Sequence, residues 1–201
     1  MIDGPVWLMQ PIPWLGENLK GDWLVEPKFD GWRMQIIRYP DGRVEFWGRR
    51  MERKPNWTDK LPDLAATAKK TIPAGVILDA ELYSSAGRRM VPSLFARKPR
   101  AESIVYIFDV IYHEGEFVGE TPLVKRKDIL RSIGVKPPFH IIGSENLTDL
   151  PAAFENAVKA GQEGLVIKRA DSAYEIGKDA PVATLDWRKV KKLYGDRHIV
   201  L

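Results

Sequence analysis

The segment Lys28-Phe29-Asp30-Gly31-Trp32-Arg33 sets an amine, a carboxylate and a guanidinium close together between two strand-like runs. More charges sit on segments that read as strands: Asp79 and Glu81 on one face of ILDAEL, Asp109 inside an apolar run, Glu163 and Lys168 around GLVI, and Lys189 with Lys191 on a shared face. A buried charge without a partner is costly, so charges repeated on strands must pair, meet a ligand or face water. Each one alone reads most simply as a solvated strand side. Taken together, the carboxylates and lysines can line a single cleft. There the lysines would hold phosphates and the carboxylates a divalent cation. The chain has no GxxxxGK[ST] loop and no kinase-type glycine-rich loop, so any nucleotide is held in another way.

The elements that must position these groups are mostly strands. Residues 23 to 47 alternate, with Trp32, Met34 and Ile36 on one face and Arg33, Gln35 and Ile37 on the other, and the turn signal PDG at 40–42 makes a hairpin. GVILDAELY (75–83), SIVYIFDVIY (103–112), GLVIKR (164–169) and DWRKVKK (186–192) read as strands. LPDLAATAKK (61–70), KRKDILRSIG (125–134) and LPAAFENAVKAG (150–161) read as helices, the last capped by Asp149 and presenting Leu150, Ala153, Phe154, Ala157 and Val158 on one face. YEIGKDAPVATL (174–185) is the longest irregular stretch near the charged set. Strands outnumber helices without regular βαβ alternation. The expected class is therefore α+β, with mainly antiparallel sheets and helices packed outside.

The 201 residues are 44% hydrophobic and 29% charged, enough apolar material for a real core. There is no signal-peptide pattern and no run long enough to span a membrane, and with no cysteine there is no disulfide framework or thiolate zinc site. The expected location is cytoplasmic. A net charge of +4 suits a polyanionic partner.

The hexamer resembles the KxDGxR signature of covalent nucleotidyltransferases: ATP-dependent DNA ligases, RNA ligases and mRNA capping enzymes. Other segments resemble this superfamily's motifs in the same order: LDAEL (78–82), FDVIY (108–112), EGLVIK (163–168) and WRKVKKLY (187–194). FDVIYHEGE, TPLVKRKDIL (121–130) and WRKVKKLY look most like the DNA ligases, and the resemblance runs from about Glu26 to Tyr194. It implies an ATP-grasp-like nucleotidyltransferase fold over residues 1–194, with 195–201 starting a connection to a C-terminal OB-fold domain that the chain lacks. Two smaller departures are Gly48-Arg49-Arg50 where ligases often read SR, and Asp179 where an arginine is common.

The resemblance implies that Lys28 attacks the α-phosphate of ATP to form a covalent lysyl-AMP. The AMP then passes to the 5′-phosphate of nicked duplex DNA, and the 3′-hydroxyl seals the nick. Free lysine titrates near 10.4, so only about one amine in a few thousand is neutral at pH 7, and Lys189, Lys191 and Mg²⁺ would supply the activating field. By the same resemblance Glu81 meets the ribose, Phe108 stacks on the base, Glu26 reads the base edge, Arg33 contacts phosphate, Asp30 and Arg49 face the DNA, and Glu163 and Glu81 hold the metal. Asp79, which can pair locally, is left outside the site, Arg50 and Arg53 read as surface, and Lys192 reads as facing water. The implied protein is a monomer serving DNA repair, replication and recombination. RNA ligase, capping-type guanylyltransferase and a non-catalytic nucleic-acid-binding module remain as alternatives.

Overall fold

The alternation between Trp23 and Trp47 is divided between two sheets in the computed structural model, which describes residues 2–191. Strand β2 (Trp23–Pro27) belongs to one sheet, while β3 (Trp32–Arg38) and β4 (Val44–Gly48) form the expected hairpin in the other. The Lys28–Gly31 segment is the crossing between them. The break between the two strand-like runs is thus a change of sheet, which puts the candidate nucleophile between the layers.

The first sheet also contains β1 (Gln10–Pro13), β9 (Glu145–Asn146), β10 (Gly164–Arg169) and β11 (Ala183–Lys191), in the order β1-β11-β10-β2-β9. The second adds β5 (Val76–Ser84), β6 (Ser103–His113) and β7 (Glu116–Phe117), in the order β4-β3-β5-β6-β7, with β8 (Phe139–Ile141) beside β6. The pairing is mainly antiparallel, as expected. The exceptions are β1 on β11 and β8 on β6, which are parallel. β1, β7, β8 and β9 are too short or too irregular in sequence to announce themselves.

Helices α1 (Pro62–Thr71), α2 (Leu123–Ser132) and α3 (Leu150–Lys159) cover the outside. Leu64 and Ala68 of α1 and Leu130 of α2 pack with Met34, Ile36, Leu78 and Val105 on the outer face of the second sheet. Leu150, Phe154 and Ala157 of α3 pack on Leu165, Ile167 and Val190 of the first. Asp149 caps α3 by accepting a hydrogen bond from the Ala152 amide at 2.9 Å. Val158, expected on the buried face of α3, is instead exposed, because the helix packs through only one narrow stripe. Between the sheets lies a third core of Ile37, Ile77, Ile111, Tyr174 and Trp187, joined by Leu8 and Met9 from the N-terminal segment. The cleft opens beside this core. Among the described residues no helix is long and apolar enough to cross a membrane. Lys192, Tyr194 and the expected connection at 195–201 lie outside the described residues.

Candidate active site

Strand β2 ends at Pro27, and the Lys28 amide donates to the Gly164 carbonyl at 3.0 Å, which anchors the crossing segment at the start of β10. Gly31 must be glycine for steric reasons: an added Cβ would lie 2.3 Å from the Leu82 carbonyl oxygen. Its amide donates to Glu81 Oε1 at 2.9 Å, tying the crossing segment to β5 of the opposite sheet. The Lys28 amine is thereby aimed into the cleft, where Nζ donates to Glu163 Oε2 at 2.5 Å.

Glu163 immediately precedes β10 and accepts from Lys28 on one oxygen and Lys191 on the other. Burial tends to raise its pKa, but the two lysines outweigh burial and hold the carboxyl below its usual range. Lys189, two residues before Lys191 and therefore on the same face of β11, is shifted downward by burial and by the neighbouring positive charges of Lys191 and Lys28. The cluster thus concentrates positive charge at one end of the cleft.

All ten sequence-selected residues (Glu26, Lys28, Asp30, Arg33, Arg49, Glu81, Phe108, Glu163, Lys189 and Lys191) line one cavity of about 930 Å³. Glu81 stands opposite Arg33 in the β3–β5 register, and burial raises its carboxyl to about 7 despite the opposing effect of Lys28. Phe108 is half-buried: it packs against the inter-sheet core yet lines the cavity, with Lys168 Nζ 4.8 Å from its ring centre. Asp30 is ion-paired with Arg88 at the cavity mouth. Arg49 is exposed, and among the described residues no carboxylate lies within ion-pair distance of it.

Two corrections follow. Arg33 does not offer an open fork: its Nε and Nη2 bind Asp79 at 2.9 and 2.5 Å, and Nη2 also donates to the Met9 carbonyl at 2.6 Å. Asp79, expected to pair locally, instead pairs with this arginine 46 positions away and accepts from the buried Tyr174 hydroxyl at 2.6 Å. Burial opposes the Arg33 charge, but Asp79 and Tyr174 more than offset it and raise its pKa. Arg50 and Arg53, read as surface, are exposed as expected and border the cavity.

Lys168, which carried no assigned role, is buried, lines the cavity, lies 2.7 Å from Glu26 Oε2, and is lowered to about 8 by burial against the pull of Glu26. Glu26 is 2% exposed, and its other oxygen faces Lys127 of α2. Arg88 and Lys127 gave no sequence signal beyond belonging to basic runs, and only the fold brings them to Asp30 and Glu26.

Residues 11–191 match the family model described as the ATP dependent DNA ligase domain. The chain belongs to the ATP-dependent DNA ligase family. A DNA ligase of Archaeoglobus fulgidus is 32% identical to this ligase-family chain over 186 residues, covering 84% of it but 32% of the relative. The SPbeta prophage-derived DNA ligase-like protein LigB of Bacillus subtilis is 33% identical over 177 residues, covering 84% of the chain and 61% of the relative. The ligase-family chain therefore spans about a third to three-fifths of the length of these two relatives. Mycobacterial DNA ligase D, complexed with ATP and MES, superposes with a TM-score of 0.74 at 24% identity, over 92% of this chain and 60% of that one, a likeness in fold.

Proposed function

We propose that this chain is the adenylation domain of an ATP-dependent DNA ligase and that Lys28 becomes covalently linked to AMP. The observation that carries the reading is the position of Lys28: a half-buried amine bridged through Glu163 to Lys191, in a cavity with Lys189 and Lys168.

In the reaction the Lys28 ammonium gives up one proton, and the Nζ–phosphorus bond forms as the bond from the α-phosphorus to pyrophosphate breaks. The bonding pair leaves with pyrophosphate, and the nitrogen sheds a second proton as the phosphoramidate is completed. Glu163 is a weak base, its pKa held down by the two lysines it pairs with. Activation therefore requires Glu163 to be drawn toward another cation, leaving Lys28 under the field of Lys189 and Lys191. These lysines would also neutralise charge on the phosphate oxygens. Phe108 offers a flat face to the base and Glu81 an acceptor to the ribose.

Mg²⁺ fits the donor set. Glu81 and Glu163 present hard oxygens to the same cavity, Glu81 Oε2 has no partner among the described residues while both Glu163 oxygens pair with lysines, and Mg²⁺ needs just one or two carboxylates beside phosphate and water. When bound it would supply charge neutralisation at the phosphates. Nicked duplex DNA is the proposed acceptor of the AMP, met at the exposed Arg49 and Asp30 side of the cavity.

Incubation with α-labelled ATP and Mg²⁺ should leave label on the denatured protein and add the mass of one AMP, and Lys28→Ala should abolish both. Absence of an adduct in the folded wild-type chain, or labelling by GTP in preference to ATP, would overturn the proposal.

A further inference from the structure

Behind the cavity, a lysine that does not line it joins both of its walls. Lys127 on α2 is 2% exposed. Its Nζ donates to the Phe108 backbone carbonyl at 2.5 Å and forms an ion pair with Glu26 Oε1. Phe108 belongs to β6 in the second sheet and Glu26 to β2 in the first. One amine thus connects the strand backbone that carries a ring on one wall to a carboxylate on the other, and both residues line the cavity.

The Glu26 carboxylate is held by two lysines and retains acceptor capacity. Oε1 faces Lys127 and Oε2 faces Lys168 Nζ at 2.7 Å, so each oxygen carries one lysine and keeps lone-pair capacity for a further donor. A buried acceptor in this state favours a ligand that brings a donor. An ionised carboxylate only accepts.

We propose that Lys127 is a positioning residue for nucleobase selection, holding the Glu26 acceptor and the Phe108 ring in one fixed relation so that a purine stacked on the ring presents its edge to the carboxylate. This rests on the reading of the cavity as a nucleotide site. A 6-amino purine then gives Glu26 a hydrogen bond. A 6-oxo purine sets an acceptor against an acceptor, and the fixed carboxylate cannot turn away. Lys127 lies outside the reacting groups, so its effect falls on binding and selectivity and not on the bond-making step.

Rates of adduct formation by wild type, Lys127→Met, Lys127→Gln and Lys127→Arg, measured against ATP and GTP concentration and alongside thermal unfolding, test this. The two neutral variants should raise the half-saturating ATP concentration about tenfold or more and lower the ATP-over-GTP preference by a similar factor. Their limiting rate with ATP should stay within about twofold of wild type, because the interaction acts before the chemical step. Lys127→Arg should restore much of the selectivity. A folded neutral variant with unchanged half-saturation and unchanged base preference overturns the proposal. Loss of the fold in both neutral variants would also overturn it, by making the role purely structural. Failure of wild type to form any adduct would instead sink the adenylation reading itself.

Discussion

Asp79→Ala is the sharpest perturbation of the scaffold that carries the site. Asp79 is fully buried and accepts three hydrogen bonds, two from Arg33 and one from Tyr174. Its removal strands a guanidinium that is 10% exposed, with the Met9 carbonyl as its remaining close partner. Breaking a buried pair on one side costs about 3–5 kcal/mol, because the remaining charge loses compensation that solvent cannot replace. For a chain of this size each kcal/mol moves Tm by roughly 2–4 °C, so the expected drop is about 6 to 20 °C. Circular-dichroism melting measures it directly. Arg33→Met combined with Asp79→Ala should melt above Asp79→Ala alone, since it removes the stranded charge together with its partner. A single variant melting within about 2 °C of wild type, or a double variant no more stable than the single, would refute the assignment of this pair as an ionic clamp between the N-terminal segment and the second sheet.

Two further outcomes concern the crossing segment. The folded-state pKa of Glu81, about 7, lies above its ordinary value of 4.5, so the folded protein binds the extra proton and stability falls as pH rises through that window; Glu81→Gln should flatten the decline, on the order of 1–3 kcal/mol, in denaturant titrations at successive pH values. Gly31→Ala drives a methyl into the Leu82 carbonyl, and should cost about 1–3 kcal/mol in urea unfolding while slowing Lys28 adduct formation.

Much of the candidate site was legible because the proposed chemistry depends on residue type. The spacing of Lys28, Asp30, Gly31 and Arg33, the paired lysines of β11 and the acidic positions of β5 and β10 can be read directly. Strand alternation then assigns each to a face, and for Arg33, Glu81, Lys189 and Lys191 that face is the cleft. The main strands and all three helices were likewise visible through periodicity and capping.

Partners were not legible, because pairing between distant charges follows from the stacking of two sheets and leaves no local pattern. Asp79 looked dispensable until β3 and β5 set it beside Arg33, and Arg33 looked free to grip phosphate until Asp79 and Met9 filled its fork. Lys127 could be read only as one cation in a basic helix. The tertiary structure turned it inward to a buried carboxylate and a strand carbonyl. Sequence thus determined which groups could react, through their intrinsic chemistry and the twofold period of a strand. Only the folded chain decided which of them are already engaged, because burial forces every charge to find a partner and the nearest one lies on another element.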